Sequence, residues 1–361
     1  MKEKEKQLFK ALCRFKDAFD DPSLTEFATP AVLGHLFFNR MQGIAYGILK
    51  KSGLLGKVNR EFRNALGAAY DQNVLRNESF RKCVILLSGI LSSCDCKVAM
   101  LKGAYLCMHY PDGYRTSNDV DLLVLPKDVT TIGNLLAKAG FRQGNIRNGE
   151  FIPATRQEII ESKMMRGETV PYIKEVDLPF MKFFEVDINF SLDYKNGNGN
   201  VLAEMLANLC MKNEKQLSVP TLDDADFFIH LCAHLYKEAT TLPWIEMRRD
   251  MTLYKYCDIY MLLSEMSDGQ LQSVFTRATE LGMEKICAYA VLETLGLFDM
   301  DNAFARQIAN AALADDPDFC LKVVSPKDGK TLIYQTADVT ERFFNESRVR
   351  DLKEVDFYEK A

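Results

Sequence analysis

No stretch of the 361 residues approaches the ~18 consecutive apolar positions that a membrane-spanning helix needs, so no membrane span is expected. The opening residues, Met1 to Lys6, mix Lys and Glu without an apolar core, so no secretory signal is expected there. A basic surplus is also missing: 45 Lys and Arg against 50 Asp and Glu leave a net charge of −5. That balance makes nucleic acid an unlikely partner, while leaving room for a local basic pocket around a triphosphate. There is no internal repeat and no low-complexity tract. Of ten cysteines only Cys94 and Cys96 stand close together, two ligands where structural zinc takes four. Others, such as Cys232 and Cys257, lie in apolar stretches and read as reduced, buried thiols, which points to a cytoplasmic protein.

What is present is an ordinary globular mixture, 47% hydrophobic and 26% charged, able to bury a sizeable core. The expected class is α+β: a small mixed-sheet domain flanked by helical segments. Its expected bounds are a helical region over 1–94, an α/β domain over 95–200, a helical domain over 201–345 and a charged tail over 346–361. In the first region, Leu8, Ala11, Leu12 and Phe15, then Leu33, Phe37, Met41 and Ile44, then Phe62, Leu66, Ala69 and Leu75 recur at helical spacing. Composition changes near residue 97. Val98 to Leu101 reads as a strand, Ala104 to His109 as a short helix, Tyr110 to Tyr114 as a turn and Asp119 to Leu125 as a strand. Lys127 to Ala139 reads as a helix stopped by Gly140. Residues 141–195 are strand-rich, with Pro179 between two strands. Asn196 to Asn200 breaks the chain, and helical patterning resumes at Val201, with Pro243 suited to a helix start.

Chemistry concentrates in Arg115-Thr-Ser-Asn-Asp119-Val-Asp121-Leu-Leu-Val124. Acids one residue apart on a strand share a face. Taken alone, Asp-x-Asp is more simply a strand start with two exposed acids. Yet the rest of this strand is apolar, and like charges beside a core are costly unless compensated. A divalent cation is a natural compensator, since Mg²⁺ is held by one or two carboxylates plus substrate phosphates. Asp187 lies on a later strand with its own alternation, sharing a face with Glu185 and Asn189. Three carboxylates from adjacent strands would suit two metals clamping a phosphoryl transfer. Taken alone, Asp187 reads equally as the solvated face of an edge strand. Lys102-Gly103 ends one strand and opens a helix, where backbone N–H groups favour phosphate. Arg115 could reach the same group. His230 and His234 lie four apart on a helix, two ligands where a metal site takes more.

The combination Leu101-Lys102-Gly103, Arg115-x-x-x-Asp119-Val-Asp121-Leu-Leu-Val124 and Val186-Asp187-Ile188-Asn189-Phe190-x-Leu192 resembles the bacterial family of uncharacterised nucleotidyltransferases in the polymerase-beta-like superfamily. The resemblance spans roughly residues 95 to 265 and includes His234, Trp244-x-x-x-Arg248 and Asp258-Ile259. It departs at Gly103-Ala104, where relatives carry Gly-Gly or Gly-Ser, and at Asn189, where many carry histidine. The resemblance implies Asp119, Asp121 and Asp187 as metal ligands for Mg²⁺ or Mn²⁺. It implies Lys102, Gly103 and Arg115 around the phosphates of a nucleoside triphosphate, and a hydroxyl acceptor, small molecule or protein. It pairs His234 with Asp258, and it sets the helices after residue 200 as one wall of the cleft. The rival expectation is a catalytically silent fold that binds a partner, such as a toxin.

Overall fold

The strand that begins at Asp119 is apolar after its second acid, and it runs through the middle of a sheet. The computed structural model describes residues 1–192, 199–214 and 216–354. Positions 196–198 of the Asn196 to Asn200 break, and positions 355–361 of the charged tail, lie outside them.

In chain order the helices are α1 (Glu3–Ala11), α2 (Pro30–Phe38), α3 (Gln42–Lys51), α4 (Arg60–Leu91), α5 (Gly103–His109), α6 (Val129–Lys138), α7 (Arg156–Arg166), α8 (Gly199–Met205) and α9 (Asp224–Ala239). They continue with α10 (Leu242–Glu246), α11 (Leu253–Glu265), α12 (Asp268–Glu280), α13 (Glu284–Leu297), α14 (Ala303–Ala312) and α15 (Val339–Phe344). The strands are β1 (Val98–Met100), β2 (Asp119–Val124), β3 (Arg142–Arg147), β4 (Glu150–Pro153), β5 (Tyr172–Leu178), β6 (Met181–Asn189), β7 (Leu209–Glu214), β8 (Leu217–Leu222), β9 (Lys322–Val324), β10 (Thr331–Tyr334) and β11 (Leu352–Glu354).

These elements form two units, residues 65–227 and residues 1–64 together with 228–361. The boundaries differ from the expected 94 and 200 for a physical reason. The second half of α4 contributes Phe80, Cys83, Val84, Leu87 and Leu91 to the core under the sheet, and Leu217 and Val219 of the β7–β8 hairpin join it. The apolar spacing of α4 identifies a helix, but not the sheet that its face covers. The helical spacing that runs from Leu33 to Ile44 belongs to two helices, because Arg40 adopts a φ of 58° between α2 and α3. The region after 201 is not all helical: it holds the β7–β8 hairpin and a β11-β10-β9 sheet.

Within the 65–227 unit the sheet order is β1-β2-β6-β5-β3-β4. Val120, Leu122, Val124, Phe184, Val186 and Ile188 alternate onto one face and enter the core with Ile132 and Leu136 of α6. Gly140, with φ +90°, ends α6 as its position suggests.

The other unit is chiefly helical. Two buried ion pairs, Arg342 with Glu293 and Arg348 with Asp250, tie α15 and the segment after it to the helical core. On α9, His234 Nε2 lies 3.5 Å from Glu238 Oε1, and Asp258 is buried on α11. Among the described residues no helix is long and apolar enough to cross a membrane.

Candidate active site

Neighbouring strands in the six-stranded sheet are antiparallel except β2 and β6, which run parallel. Their register sets Asp119 opposite Glu185 and Asp121 opposite Asp187. Opposed residues on adjacent strands point to the same side, so four carboxylates share the face away from the core. A fifth arrives from outside the named strands. Glu168 forms an isolated bridge with Asn189, through Thr169 N–H donating to Ile188 O at 2.9 Å and Phe190 N–H to Gly167 O at 2.8 Å. That pairing turns Glu168 toward the side of Asn189 and the acids.

The electrostatics follow from this crowding. Burial, then the charges of Asp121, Asp119 and Glu168, push the Asp187 carboxyl well above the usual carboxylate range, against an opposing pull from Lys102. Burial and the charge of Asp119 raise Glu185 as well. Asp119 is exposed at the strand's start, whereas Asp121 is only 8% exposed.

Asp121 is held by this chain's own donors. Lys102 Nζ donates to its Oδ1 at 2.9 Å, and Asn189 Nδ2 donates to the same oxygen at 3.2 Å. Lys102 reaches it from a strained backbone, φ 43° and ψ −113°, in a region that favours glycine. Such a conformation costs about 1–3 kcal/mol and persists where surrounding structure enforces it.

The next residue explains part of that enforcement. A Cβ on Gly103 would fall 2.2 Å from Ser117 Oγ, 2.7 Å from Ser117 Cβ and 3.4 Å from Arg115 Nη1. The space over Gly103, expected to admit phosphate, is therefore filled by the loop that carries Arg115. Arg115 Nη1 donates to Ser117 Oγ at 2.6 Å. The N–H groups of Ala104 and Tyr105 already donate to Leu101 O and Lys102 O, at 3.2 and 3.1 Å.

Helix α4 fixes this loop from below. Buried Asn77 donates from Nδ2 to Arg115 O at 2.6 Å and accepts from Gly113 N–H at 2.8 Å. On the same helix Asn73 donates to Gly113 O at 3.1 Å, Arg76 contacts Asn118 Oδ1, and Arg81 pairs with Asp112 at 2.7 Å. The spacing 73, 76, 77, 81 is one helical face, a polar stripe that the apolar spacing of Phe62, Leu66, Ala69 and Leu75 does not reveal. Asn77→Ala leaves two backbone groups without their partner, so a loss of about 2 kcal/mol is expected in urea unfolding. Any activity should fall roughly tenfold as Arg115 loosens, a loss on the scale of outer-shell substitutions. Unchanged stability would show that the amide does not hold the loop.

The six expected residues thus lie together. Asp119, Asp121 and Asp187 share a face, Lys102 contacts Asp121, and Arg115 packs over Gly103 through Ser117. Sequence reasoning missed Glu168, Ser117 and Asn77. Nothing in the local pattern marks Glu168, whose place depends on a strand pairing. The donor set, all hard carboxylate oxygens, has the chemistry a divalent Mg²⁺ or Mn²⁺ takes. As the side chains stand, no three His, Cys, Asp or Glu among the described residues converge closely enough to hold an ion. At Asp121 a lysine ammonium provides the positive charge.

A crystal structure of an antigenic nucleotidyltransferase-like protein from Paracoccidioides brasiliensis is similar at 16% identity and a TM-score of 0.34, over 57% of this chain and 89% of that one. No curated protein matches the chain. The family described as uncharacterised nucleotidyltransferase matches residues 26–298, a span holding every acid of the site, and the chain belongs to that family.

Proposed function

We propose that the protein transfers a nucleoside monophosphate from a nucleoside triphosphate to a hydroxyl acceptor, a small molecule or a protein, and releases pyrophosphate. The observation that carries this reading is the parallel register that sets Asp121 beside Asp187 within the family's matched span. Asp119, Asp121 and Asp187 would hold the Mg²⁺ or Mn²⁺. A bound divalent ion supplies charge neutralisation on the triphosphate and on the oxygens that enter and leave phosphorus.

The chain's own residues do the rest. Asp187 accepts the acceptor's proton, a role suited to a carboxyl that burial and neighbouring acids raise above the usual carboxylate range. The acceptor oxygen then bonds to the α-phosphorus, the bond from that phosphorus to the bridging oxygen breaks, and pyrophosphate leaves with the electron pair. Its charge falls to side chains, because the amides of Ala104 and Tyr105 are already bonded within the turn. Lys102 and Arg115 are the cations in reach of that turn. Glu168 adds negative charge beside Asp187.

The test is thermal unfolding with Mg²⁺ and each nucleoside triphosphate, repeated on Asp119→Ala and Asp121→Ala. A ligand at one hundred times its Kd stabilises by about 2.7 kcal/mol, so a rise of several degrees is expected for the native chain and none for the variants. No metal-dependent shift with any nucleotide would favour a partner-binding role instead. Incubation of lysate with α-labelled nucleotide then identifies the acceptor, and pyrophosphate release separates transfer from hydrolysis.

A further inference from the structure

Lys102 and Asp121 are both candidates for the reaction, yet in this structure they are bonded to one another. The ammonium lies 2.9 Å from Asp121 Oδ1, and both side chains are largely shielded, at 19% and 11% exposure. The lysine is brought there by a backbone conformation that lysine disfavours. Its charge also acts on Asp187, on the neighbouring strand. A lysine that served only as a phosphate ligand would have no need to sit among the acids at such a cost in backbone strain. The ammonium answers a problem the fold creates: four carboxylates from β2 and β6 on one face, with Glu168 beside them.

We propose that Lys102 is the resident cation of this site, which a divalent ion displaces from Asp121 and which then becomes a ligand of the nucleotide's phosphates. The inference rests on the nucleotidyltransferase reading and adds an order to it. One positive charge cannot neutralise Asp121 and a phosphate at once. While no divalent ion is present, Asp121 holds Lys102 back from the phosphates. Once the ion takes over Asp121, the ammonium is released to turn to the triphosphate. Divalent ion and nucleotide therefore favour each other's binding through the same side chain, and each raises the other's affinity by the same factor. Asn189, which donates to the same Oδ1 at 3.2 Å, is neutral and keeps that oxygen oriented during the exchange.

The inference is tested by calorimetric titration of the full chain with Mn²⁺ alone, with a non-hydrolysable nucleoside triphosphate alone, and with both. Native protein is compared with Lys102→Met, which keeps the length of the side chain and removes its charge. Loss of a competing charge a few ångströms from the ion should tighten Mn²⁺ binding about tenfold or more in the absence of nucleotide. The same variant should bind the triphosphate in the presence of Mn²⁺ at least tenfold more weakly, the loss expected when a charge-assisted contact is removed. Opposite signs for the two ligands are the signature, since a merely structural lysine would weaken both. Equal Mn²⁺ affinity in native protein and Lys102→Met overturns the exchange and leaves the transferase reading standing. Absence of Mn²⁺ binding to native protein even with triphosphate overturns the transferase reading itself. Should Lys102→Met fold poorly, Lys102→Gly, which suits the left-handed backbone, carries the same two expectations.

Discussion

Replacing Asp187 with asparagine is expected to abolish nucleotidyl transfer while making the metal-free protein more stable at neutral and alkaline pH. The first half follows from the proposed role. Asparagine keeps the shape and loses both the anionic ligand and the proton acceptor, so a fall of at least about 10³-fold is expected, roughly 4 kcal/mol of barrier. The second half follows from the register, since Asp187 is set directly opposite Asp121 and its carboxyl is raised by burial and by neighbouring charges. A carboxyl raised in the folded state binds more protons there than in the unfolded chain. Its burden on stability is absent below the ordinary carboxylate pKa and grows as pH rises from there through the raised value. Thermal unfolding of metal-free protein from pH 4 to pH 8 should show the native midpoint falling below that of Asp187→Asn as pH increases, with the two closest at the acid end. Adding Mn²⁺ should reverse the order. A variant that is less stable across the whole range and still active would remove Asp187 from the site.

Such a trade of stability for chemistry is also why part of the site was legible in sequence. Asp119 and Asp121 open a strand whose remaining residues demand burial, and that conflict between charge and core is visible without coordinates. The alternation of Phe184, Val186 and Ile188 around Glu185 and Asp187 is equally local. The parallel pairing that puts the two acidic strands side by side is not local, because nothing in either segment names its partner. Glu168 shows the limit most plainly: it follows Gly167, the left-handed end of α7, and is brought to the site by a bridge to Asn189. The two units are bounded differently from the expected domains for a related reason. A 32-residue helix announces itself by spacing, but which of its residues cover a sheet depends on where that sheet lies. The short strands β7 and β8 lie where helical patterning is expected after Val201: only Leu217 and Val219 of β8 enter the core under the sheet, too short an alternation to mark a hairpin that its own pairing creates.

Gly103→Ala is expected to damage both stability and transfer, and the damage to stability should be recoverable at a second position. The contact at 2.7 Å to Ser117 Cβ is the decisive one. A hydroxyl alone could rotate away, but a Cβ moves only with its backbone, so the 115–117 loop must shift. Overpacking of this kind costs about 1–3 kcal/mol. The loop resists because Asn77 holds it on both sides, at Gly113 and at Arg115. The strain therefore returns to the Lys102-Gly103 turn, whose backbone is already in a disfavoured region. Lys102 would then be misplaced for both Asp121 and the phosphates, and transfer should fall about a hundredfold, the loss that positioning errors near 1 Å produce. Ser117→Gly alone removes both clashing atoms and the acceptor of the Arg115 bond, so a modest loss of nucleotide affinity is expected. In the double variant the methyl group has room, and the stability loss should be less than the sum of the two by about 0.5–3 kcal/mol, the range for residues in contact. Transfer should recover only in part, since Arg115 still lacks its anchor. Urea unfolding of the four proteins measures the coupling directly, and strictly additive losses would mean that the lysine turn and the arginine loop do not act as one structure.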